Sequence, residues 1–117
     1  MAKVLTKDQL NKIIDDYISK LRSKISLDQV ILYGSYAKGT AHEWSDIDLY
    51  IISKDLPDNE LKGTNGFHLD CIVGKYDPRL EVIGINPNQL QNPIEKSFFE
   101  EVKTSGKQVL LNNPHLK

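Results

Sequence analysis

Apolar residues recur three and four positions apart near the start of the chain, and this spacing predicts an amphipathic helix over residues 7–24. Thr6 and Gln9 occupy the two positions of a capping box, so we expect the helix to begin directly after Thr6. A second helix is predicted over residues 93–105, with Gly106 as its C-terminal cap. The apolar positions of these helices are Leu10, Ile13, Ile14, Tyr17, Ile18 and Leu21 in the first, and Ile94, Phe98, Phe99 and Val102 in the second.

Shorter apolar stretches, bounded by glycine, proline or polar residues, are typical of strands. The stretch at residues 65–76 fits either a strand or a short helix, and we favour the helix. Pro57 and Gly63 lie in a polar stretch that predicts a surface loop over 54–63.

The order α-β-(α)-β-α-β-α-β predicts a single α/β (α+β) domain over residues 1–117, with a mixed sheet of about four strands flanked by helices. The predicted strands are 29–33, 46–53, 79–85 and 107–111.

Composition is that of a globular domain with no bulk attraction to nucleic acid. Of the 117 residues, 39% are apolar and 26% are charged, which is enough for one buried core. The formal net charge is −1, and no stretch approaches the roughly 20 apolar residues of a membrane span. The one cysteine, Cys71, excludes an internal disulfide, and residues 1–5 lack the apolar core of a signal peptide. We therefore expect a cytoplasmic protein.

The chemistry of the chain is concentrated in residues 34–48, between two predicted strands. Gly34 and Ser35 end the first strand, and Asp46 and Asp48 begin the second. Residues two apart in a strand face the same side, so the two carboxylates are expected to lie together, with Cα atoms roughly 6.5 Å apart. At about 5 Å and an effective dielectric constant of about 20 their repulsion costs about 3 kcal/mol, which favours a cation between them. Oxygen ligands suit Mg²⁺, and two such ions can clamp an in-line displacement at phosphorus.

A third carboxylate is needed to complete such a site. Glu81 lies in the middle of an apolar predicted strand, where a charge is awkward unless it faces a site. Asp70, within the ambiguous stretch, is the alternative, and we favour Glu81 because its strand is the clearer prediction. The ordinary structural explanations for this acid are an exposed strand residue or an ion pair with Arg79.

The glycine turn is a candidate phosphate site. Gly34 lets the backbone turn tightly and lets a phosphate approach the main chain, and the amides that follow form an anion site if they open a helical turn. The Ser35 hydroxyl can donate to a phosphate oxygen, and Lys38 can add a positive charge. Tyr36 or Trp44 can stack near a base, and packing of Trp44 over the loop is the ordinary alternative.

Gly34-Ser35, a spacer of ten residues and Asp46-x-Asp48 resemble the signature of the minimal nucleotidyltransferases of the polymerase β-like superfamily. The similarity continues through the flanking strands, the third strand and the last helix, so it covers most of the chain. It implies a polymerase β-like nucleotidyltransferase fold. It also implies transfer of a nucleoside monophosphate, in the first place AMP from ATP, to an acceptor hydroxyl.

The resemblance further implies roles for individual residues. Asp46 and Asp48 would hold two Mg²⁺ ions, and Glu81 would stand for a third acid, usually Asp in this family, that binds one metal and activates the acceptor hydroxyl. The family's phosphate-binding pair corresponds to Gly34 and Ser35. Many small bacterial and archaeal members resemble the antitoxin half of a toxin–antitoxin pair, and some of them inactivate a helical HEPN toxin by attaching AMP.

Larger relatives carry a further domain for the acceptor, and no part of these 117 residues resembles one. We therefore expect the acceptor to dock from outside, with a HEPN-type protein as the natural partner, or a homo-oligomer to complete the cleft. Two other functions stay open. One is a nucleotide-binding, antitoxin-like module that masks a partner without catalysis, which the Glu at position 81 favours. The other is a transferase acting on a small molecule such as an aminoglycoside.

Overall fold

The computed structural model describes residues 4–58, 69, 74 and 77–111, with only the backbone of residue 111. The helix predicted over residues 65–76 lies outside the described residues, apart from Leu69 and Gly74. Asp70, the alternative third carboxylate, lies outside them as well. Leu69 is completely buried among the apolar residues of the core.

The first helix, α1 (Lys7–Arg22), begins at the predicted capping box. The Thr6 hydroxyl accepts a hydrogen bond from the Gln9 amide at 3.1 Å, and the Gln9 side chain accepts one from the Thr6 amide at 2.9 Å. The helix ends two residues before its predicted end, where the Ile25 amide turns back to the Leu21 carbonyl at 2.8 Å. Its buried residues, which confirm the predicted apolar face, are Leu10, Ile14, Tyr17, Ile18 and Leu21.

Four strands form one mixed sheet, as predicted: β1 (Gln29–Tyr33), β2 (Ile47–Ile52), β3 (Leu80–Ile85) and β4 (Lys107–Leu111). Each lies within one residue of its predicted bounds. The spatial order is β3-β2-β1-β4, in which β1 pairs antiparallel with β2 and β4, and β2 pairs parallel with β3. The central strands β1 and β2 therefore have a neighbour on each side.

Alternation along β2 divides the core between the two faces of the sheet. Leu49 and Ile51 point to one face, where they pack in a cluster that includes the buried residues of α1. Tyr50 and Ile52 point to the other face, into a second cluster. Asp48 is the one residue of β2 that is not fully buried. The apolar residues of the strand therefore hold Asp48 in place on the second face.

A single helical turn, α2 (Ser35–Lys38), follows β1 and confirms the turn that the pattern left open. Gly34 and Gly39 flank it, and both have positive φ angles, of 73° and 76°. A 3₁₀ helix, Pro87–Gln91, follows β3, and the apolar pattern did not predict it. The Asn86 side chain caps its first turn, so the Asn-Pro pair starts a helix as well as ending the strand.

The last helix, α3 (Pro93–Ser105), has the predicted bounds. Phe99 and Val102 are buried in the cluster on the second face of the sheet. Ile94, which belongs to the same predicted apolar stripe, is 71% exposed, so the buried face of α3 is narrower than the pattern indicated. Neither α3 nor any other helix in the described segments combines the length and the hydropathy that a membrane crossing requires.

Gly106 ends α3 with an extended backbone, φ −96° and ψ −175°, which a residue with a side chain can also adopt. Glycine is needed there for another reason, because carbonyl oxygens lie close to its Cα atom. A Cβ built on it would lie 2.6 Å from the carbonyl oxygens of both Leu32 and Val102. We predict that Gly106→Ala lowers the free energy of unfolding by about 1–3 kcal/mol, measured by urea denaturation. The exposed neighbour provides the control, Ser105→Ala, with an expected change below about 0.5 kcal/mol. Equal losses in the two variants would contradict the steric explanation.

Candidate active site

Three side chains from three adjacent strands form a row across one face of the sheet. Tyr33 of β1 is the Cα partner of Asp48 of β2, and Asp48 is in turn the partner of Glu81 of β3. Neighbouring strands lie about 4.8 Å apart, and paired residues point to the same face. The register therefore places Asp48 between Tyr33 and Glu81.

Asp46 adds a further carboxylate at the same end of the sheet. It comes directly before β2 and two positions before Asp48, and its charge contributes to the raised pKa of Asp48. Ile47, between them, is completely buried, and its amide donates to the Arg79 carbonyl at 2.7 Å. This bond ties the start of β2 to the start of β3. Asp46 and Glu81 are exposed and Asp48 is half-buried, so all three predicted acids are accessible to solvent at this end of the sheet.

The charges of Asp46 and Glu81 act on Asp48. The pKa of Asp48 is raised above its ordinary value, first by burial and then by the negative charges of Asp46 and Glu81. Burial, followed by the charges of Asp48 and Glu81, also raises the pKa of Tyr33 to about 12. A cation bound among these carboxylates would relieve the repulsion that both shifts record.

Gly34 lies directly against the Asp48 carboxylate. A Cβ built on Gly34 would overlap Asp48 Oδ2 and would lie 3.1 Å from Asp48 Cγ. The Gly34 φ angle of 73°, with ψ −156°, is moreover a conformation that residues with side chains rarely adopt. Glycine is therefore required at position 34 for two reasons, the backbone conformation and the contact with Asp48. The Gly34 turn, predicted to bind phosphate, thus touches Asp48, the acid predicted to bind metal.

The helical turn α2 continues from this glycine. Ser35 is its first residue, and the amides of Ala37 and Lys38 both donate to the Gly34 carbonyl at 3.1 Å. Lys38 is the last residue of the turn, and its side chain is exposed. The structure thus places Gly34 against Asp48, Ser35 directly after it, and Lys38 at the far end of α2.

The aromatic residue beside the acids is Tyr33, which the sequence analysis did not identify. Tyr36 packs with the α1 side of the core, and its hydroxyl accepts from the Leu5 amide at 3.2 Å, so its ring does not face the acids. Trp44 is 73% exposed, which contradicts packing over the loop. The sequence shows that Tyr33 comes directly before Gly34, which places it near the phosphate turn. Its pairing with Asp48 is evident only from the register of β1 and β2.

Arg79 forms its ion pair with Asp77. The Arg79 side chain donates to the two Asp77 carboxylate oxygens at 3.0 and 2.9 Å. This hydrogen bonding to Arg79 lowers the pKa of Asp77 below its ordinary value. The ion pair of Glu81 with Arg79 is therefore wrong, because Asp77 occupies the guanidinium. The other ordinary explanation, an exposed strand residue, agrees with the exposure of Glu81.

The chemistry of the acids fits a hard cation. No three acidic, histidine or cysteine side chains in the described segments are already gathered closely enough to hold a metal ion. Oxygen donors alone, on one face and open to solvent, are the donor set that Mg²⁺ prefers. Asp46, Asp48 and Glu81 are accordingly the residues that would hold it.

The chain belongs to the nucleotidyltransferase domain family, whose model matches residues 14–108. The matched region runs from α1 into β4 and contains the glycine turn and all three acids. It confirms the resemblance that the Gly34-Ser35 and Asp46-x-Asp48 spacing indicated, and with it the predicted class of enzyme.

Three relatives carry names of protein adenylyltransferases. One, from Methanocaldococcus jannaschii, is 35% identical over 86 residues, which are 74% of this chain and 82% of that protein. Another from the same organism is 50% identical over 50 residues, which are 41% of this chain and only 34% of that protein's length. Protein adenylyltransferase MntA of Thermococcus cleftensis is 28% identical over 99 residues, covering 85% of this chain and 95% of MntA.

Solved structures share the fold. A nucleotidyltransferase structure from Sulfolobus solfataricus superposes with a TM-score of 0.63 at 17% identity, covering 90% of this chain and 83% of that one. A chain in the complex of a tri-AMPylated Shewanella oneidensis HEPN toxin with MNT antitoxin gives a TM-score of 0.51 at 22% identity, covering 88% and 73%. At these identities the likeness shows the fold alone, and it confirms the nucleotidyltransferase fold that the sequence predicted.

The requirement for glycine at position 34 can be compared with that at position 39. Gly39 also has a positive φ angle, but its ψ of 18° lies in the left-handed helical region, and a Cβ there would meet nothing within 4 Å. We predict that Gly39→Ala costs about 1–2 kcal/mol of unfolding free energy, and that Gly34→Ala costs at least about 1 kcal/mol more, because the Asp48 contact and the rarer backbone conformation both oppose a side chain. Urea denaturation measures both. Equal costs would contradict both reasons.

The raised pKa of Asp48 predicts a pH-dependent cost of folding. The folded state binds the Asp48 proton more tightly than the unfolded state does, so stability is lost as pH rises from the unfolded pKa, about 3.9, through the folded one. We predict that Asp48→Asn raises the melting temperature at pH 7 in EDTA, and that the gain shrinks towards zero below about pH 4. Asp58→Asn, at an exposed position, controls for the loss of one charge. A lower melting temperature for Asp48→Asn at pH 7 would contradict this.

Proposed function

We propose that this chain is a Mg²⁺-dependent nucleotidyltransferase that moves AMP from ATP to a hydroxyl group of a protein acceptor, a HEPN-type toxin. One observation carries the proposal. Asp48 contacts Gly34 on one side and is in register with Glu81 on the other, so a single carboxylate joins the phosphate turn to the acid that would activate the acceptor.

The reaction assigns a role to each residue of the site. Glu81 accepts the proton of the acceptor hydroxyl, and the hydroxyl oxygen bonds to the α-phosphorus of ATP. The bond between that phosphorus and the bridging oxygen breaks, and pyrophosphate leaves with the electron pair. The turn at Gly34 and the amides after it bind the triphosphate, and the Ser35 hydroxyl donates to it, with Lys38 as a further cation. Mg²⁺ held by Asp46, Asp48 and Glu81 supplies neutralisation of the phosphate charge when it is bound.

The nature of the acceptor is supported by the relatives. Their names describe transfer of adenylate to proteins, and MntA is aligned over nearly its whole length. A structural neighbour is a chain in the complex of an AMPylated HEPN toxin with an MNT antitoxin. The exposure of Glu81 agrees with an acceptor that arrives from solvent as a separate protein.

A module that masks its partner without catalysis is the second candidate, and the residue at position 81 favours it. Glu81 carries its carboxylate one methylene farther from the backbone than the Asp that is usual in the family. Calorimetry distinguishes this function: Mg-ATP would bind without release of pyrophosphate, and Asp46→Asn would still inhibit the partner.

Transfer of label from [α-³²P]ATP to a HEPN-type protein tests the catalytic proposal. Glu81→Gln removes the base and is expected to lower the rate roughly 100-fold or more, whereas Glu81→Asp keeps a carboxylate and retains most of the activity. Asp48→Asn removes a metal ligand and is expected to cost roughly 100-fold or more as well.

The controls are Asp58→Asn, which should transfer label as the unmodified chain does, and EDTA, which should stop transfer. Circular dichroism should show that each variant is folded. Undiminished transfer by Asp48→Asn would remove the metal-dependent mechanism, and loss of transfer in Glu81→Asp equal to that in Glu81→Gln would remove the role of Glu81 as base.

A further inference from the structure

A shallow groove of about 400 Å³ runs along the outer side of α3, lined by Pro93, Ile94, Ser97, Phe98 and Glu101. These residues recur three and four positions apart, so they form one ridge of the helix, the arrangement by which one helix packs on another. Ile94 is 71% exposed although its side chain is large and aliphatic. None of these five is among the fully buried residues of α3, and Phe98 alone of them packs on the sheet, against the cluster that contains Tyr50.

This groove adjoins the acidic site. The Phe98 ring lies edge-on to the Tyr33 ring, with centroids 6.2 Å apart, and Tyr33 is the strand partner of Asp48. The direction of α3 also brings this end of the groove towards the acidic site. Gly106, at the C-terminal end of α3, lies close to the carbonyl oxygen of Leu32, the residue before Tyr33. The Phe98–Glu101 end of the groove is therefore the end nearer the three acids.

The charged residue that lines the groove is acidic, and so are the site residues at its Phe98 end. Asp46, Asp48 and Glu81 lie beyond the Phe98 end, and Glu101 lines the groove itself. A protein that covers the groove and reaches the site thus meets an apolar strip bordered by carboxylates. Apolar side chains flanked by Lys or Arg are complementary to such a surface.

We propose that the α3 groove is the docking surface for the acceptor protein, which presents an amphipathic helix with an apolar ridge and basic flanks. The acceptor hydroxyl is carried past the Phe98 end of the groove to Glu81. This inference rests on the proposed function and deepens it, since it assigns the binding of the acceptor to a surface separate from the residues that carry out the transfer.

Two pairs of matched variants test the docking surface in the label-transfer assay with the HEPN-type acceptor. Ile94→Ser removes the exposed apolar side chain, and Val4→Ser makes the same kind of change at a residue 49% exposed on the α1 side of the sheet. We expect Ile94→Ser to raise the KM for the acceptor roughly tenfold, with kcat and the affinity for Mg-ATP unchanged. Val4→Ser should leave all three unchanged.

The second pair tests the charge of the partner. Glu101→Lys reverses a charge in the groove, and Glu100→Lys makes the same change at the neighbouring exposed residue, which does not line it. We expect Glu101→Lys to raise the KM severalfold, more strongly at low salt, and Glu100→Lys to have a smaller effect.

The outcomes separate this inference from the function on which it rests. If the unmodified chain labels no protein, the proposed function is wrong and the docking surface is wrong with it. If it labels the acceptor and Ile94→Ser has the same KM, the docking surface alone is wrong. A dimer in sedimentation that Ile94→Ser dissociates would assign the groove to a second copy of this chain and would also overturn the inference.

Discussion

The pairing of β2 with β1 and β3 is the interaction on which the site depends. β2 is buried on both faces except at Asp48, and its neighbours hold it in a register that places Tyr33 and Glu81 on either side of that acid. A shift of one residue would turn Asp48 into the core and an apolar side chain outwards, which the packing of Leu49 and Ile51 opposes. The same apolar contacts that stabilise the fold therefore determine where the chemistry occurs.

The second face of the sheet combines an apolar half and a polar half, and the boundary between them carries a cost in stability. Tyr33, Tyr50 and Phe98 pack with centroids 5.8–6.4 Å apart and separate the acids from the cluster under α3. The Tyr50 hydroxyl and Glu95 Oε2 are buried there, and no residue of the described segments hydrogen-bonds to either atom. Burial, with Glu95 nearby, raises the pKa of Tyr50. Buried polar atoms of this kind cost about 1–3 kcal/mol each, in addition to the repulsion around Asp48.

Elements that depend on nearby residues were predicted well. The capping box of Thr6 and Gln9 determines where α1 begins. Short apolar stretches, bounded by glycine, proline or polar residues, located the four strands to within one residue. The exposure of Ile94 could not be predicted, because helical spacing shows which residues share a side and not whether another element covers that side. The 3₁₀ helix after β3 was missed because it carries no apolar period, only the Asn-Pro start.

The sequence by itself determined the chemical groups of the site and their local arrangement. Gly34-Ser35 and Asp46-x-Asp48 follow from a turn and from strand alternation, which are set by residues close together in the chain, and these motifs sufficed to indicate the family. Only the tertiary structure decided that Glu81 and Tyr33 flank Asp48, that Gly34 touches its carboxylate, and that Arg79 pairs with Asp77. The physical reason is that register between strands far apart in sequence arises from packing on both faces of the sheet, which no local pattern contains.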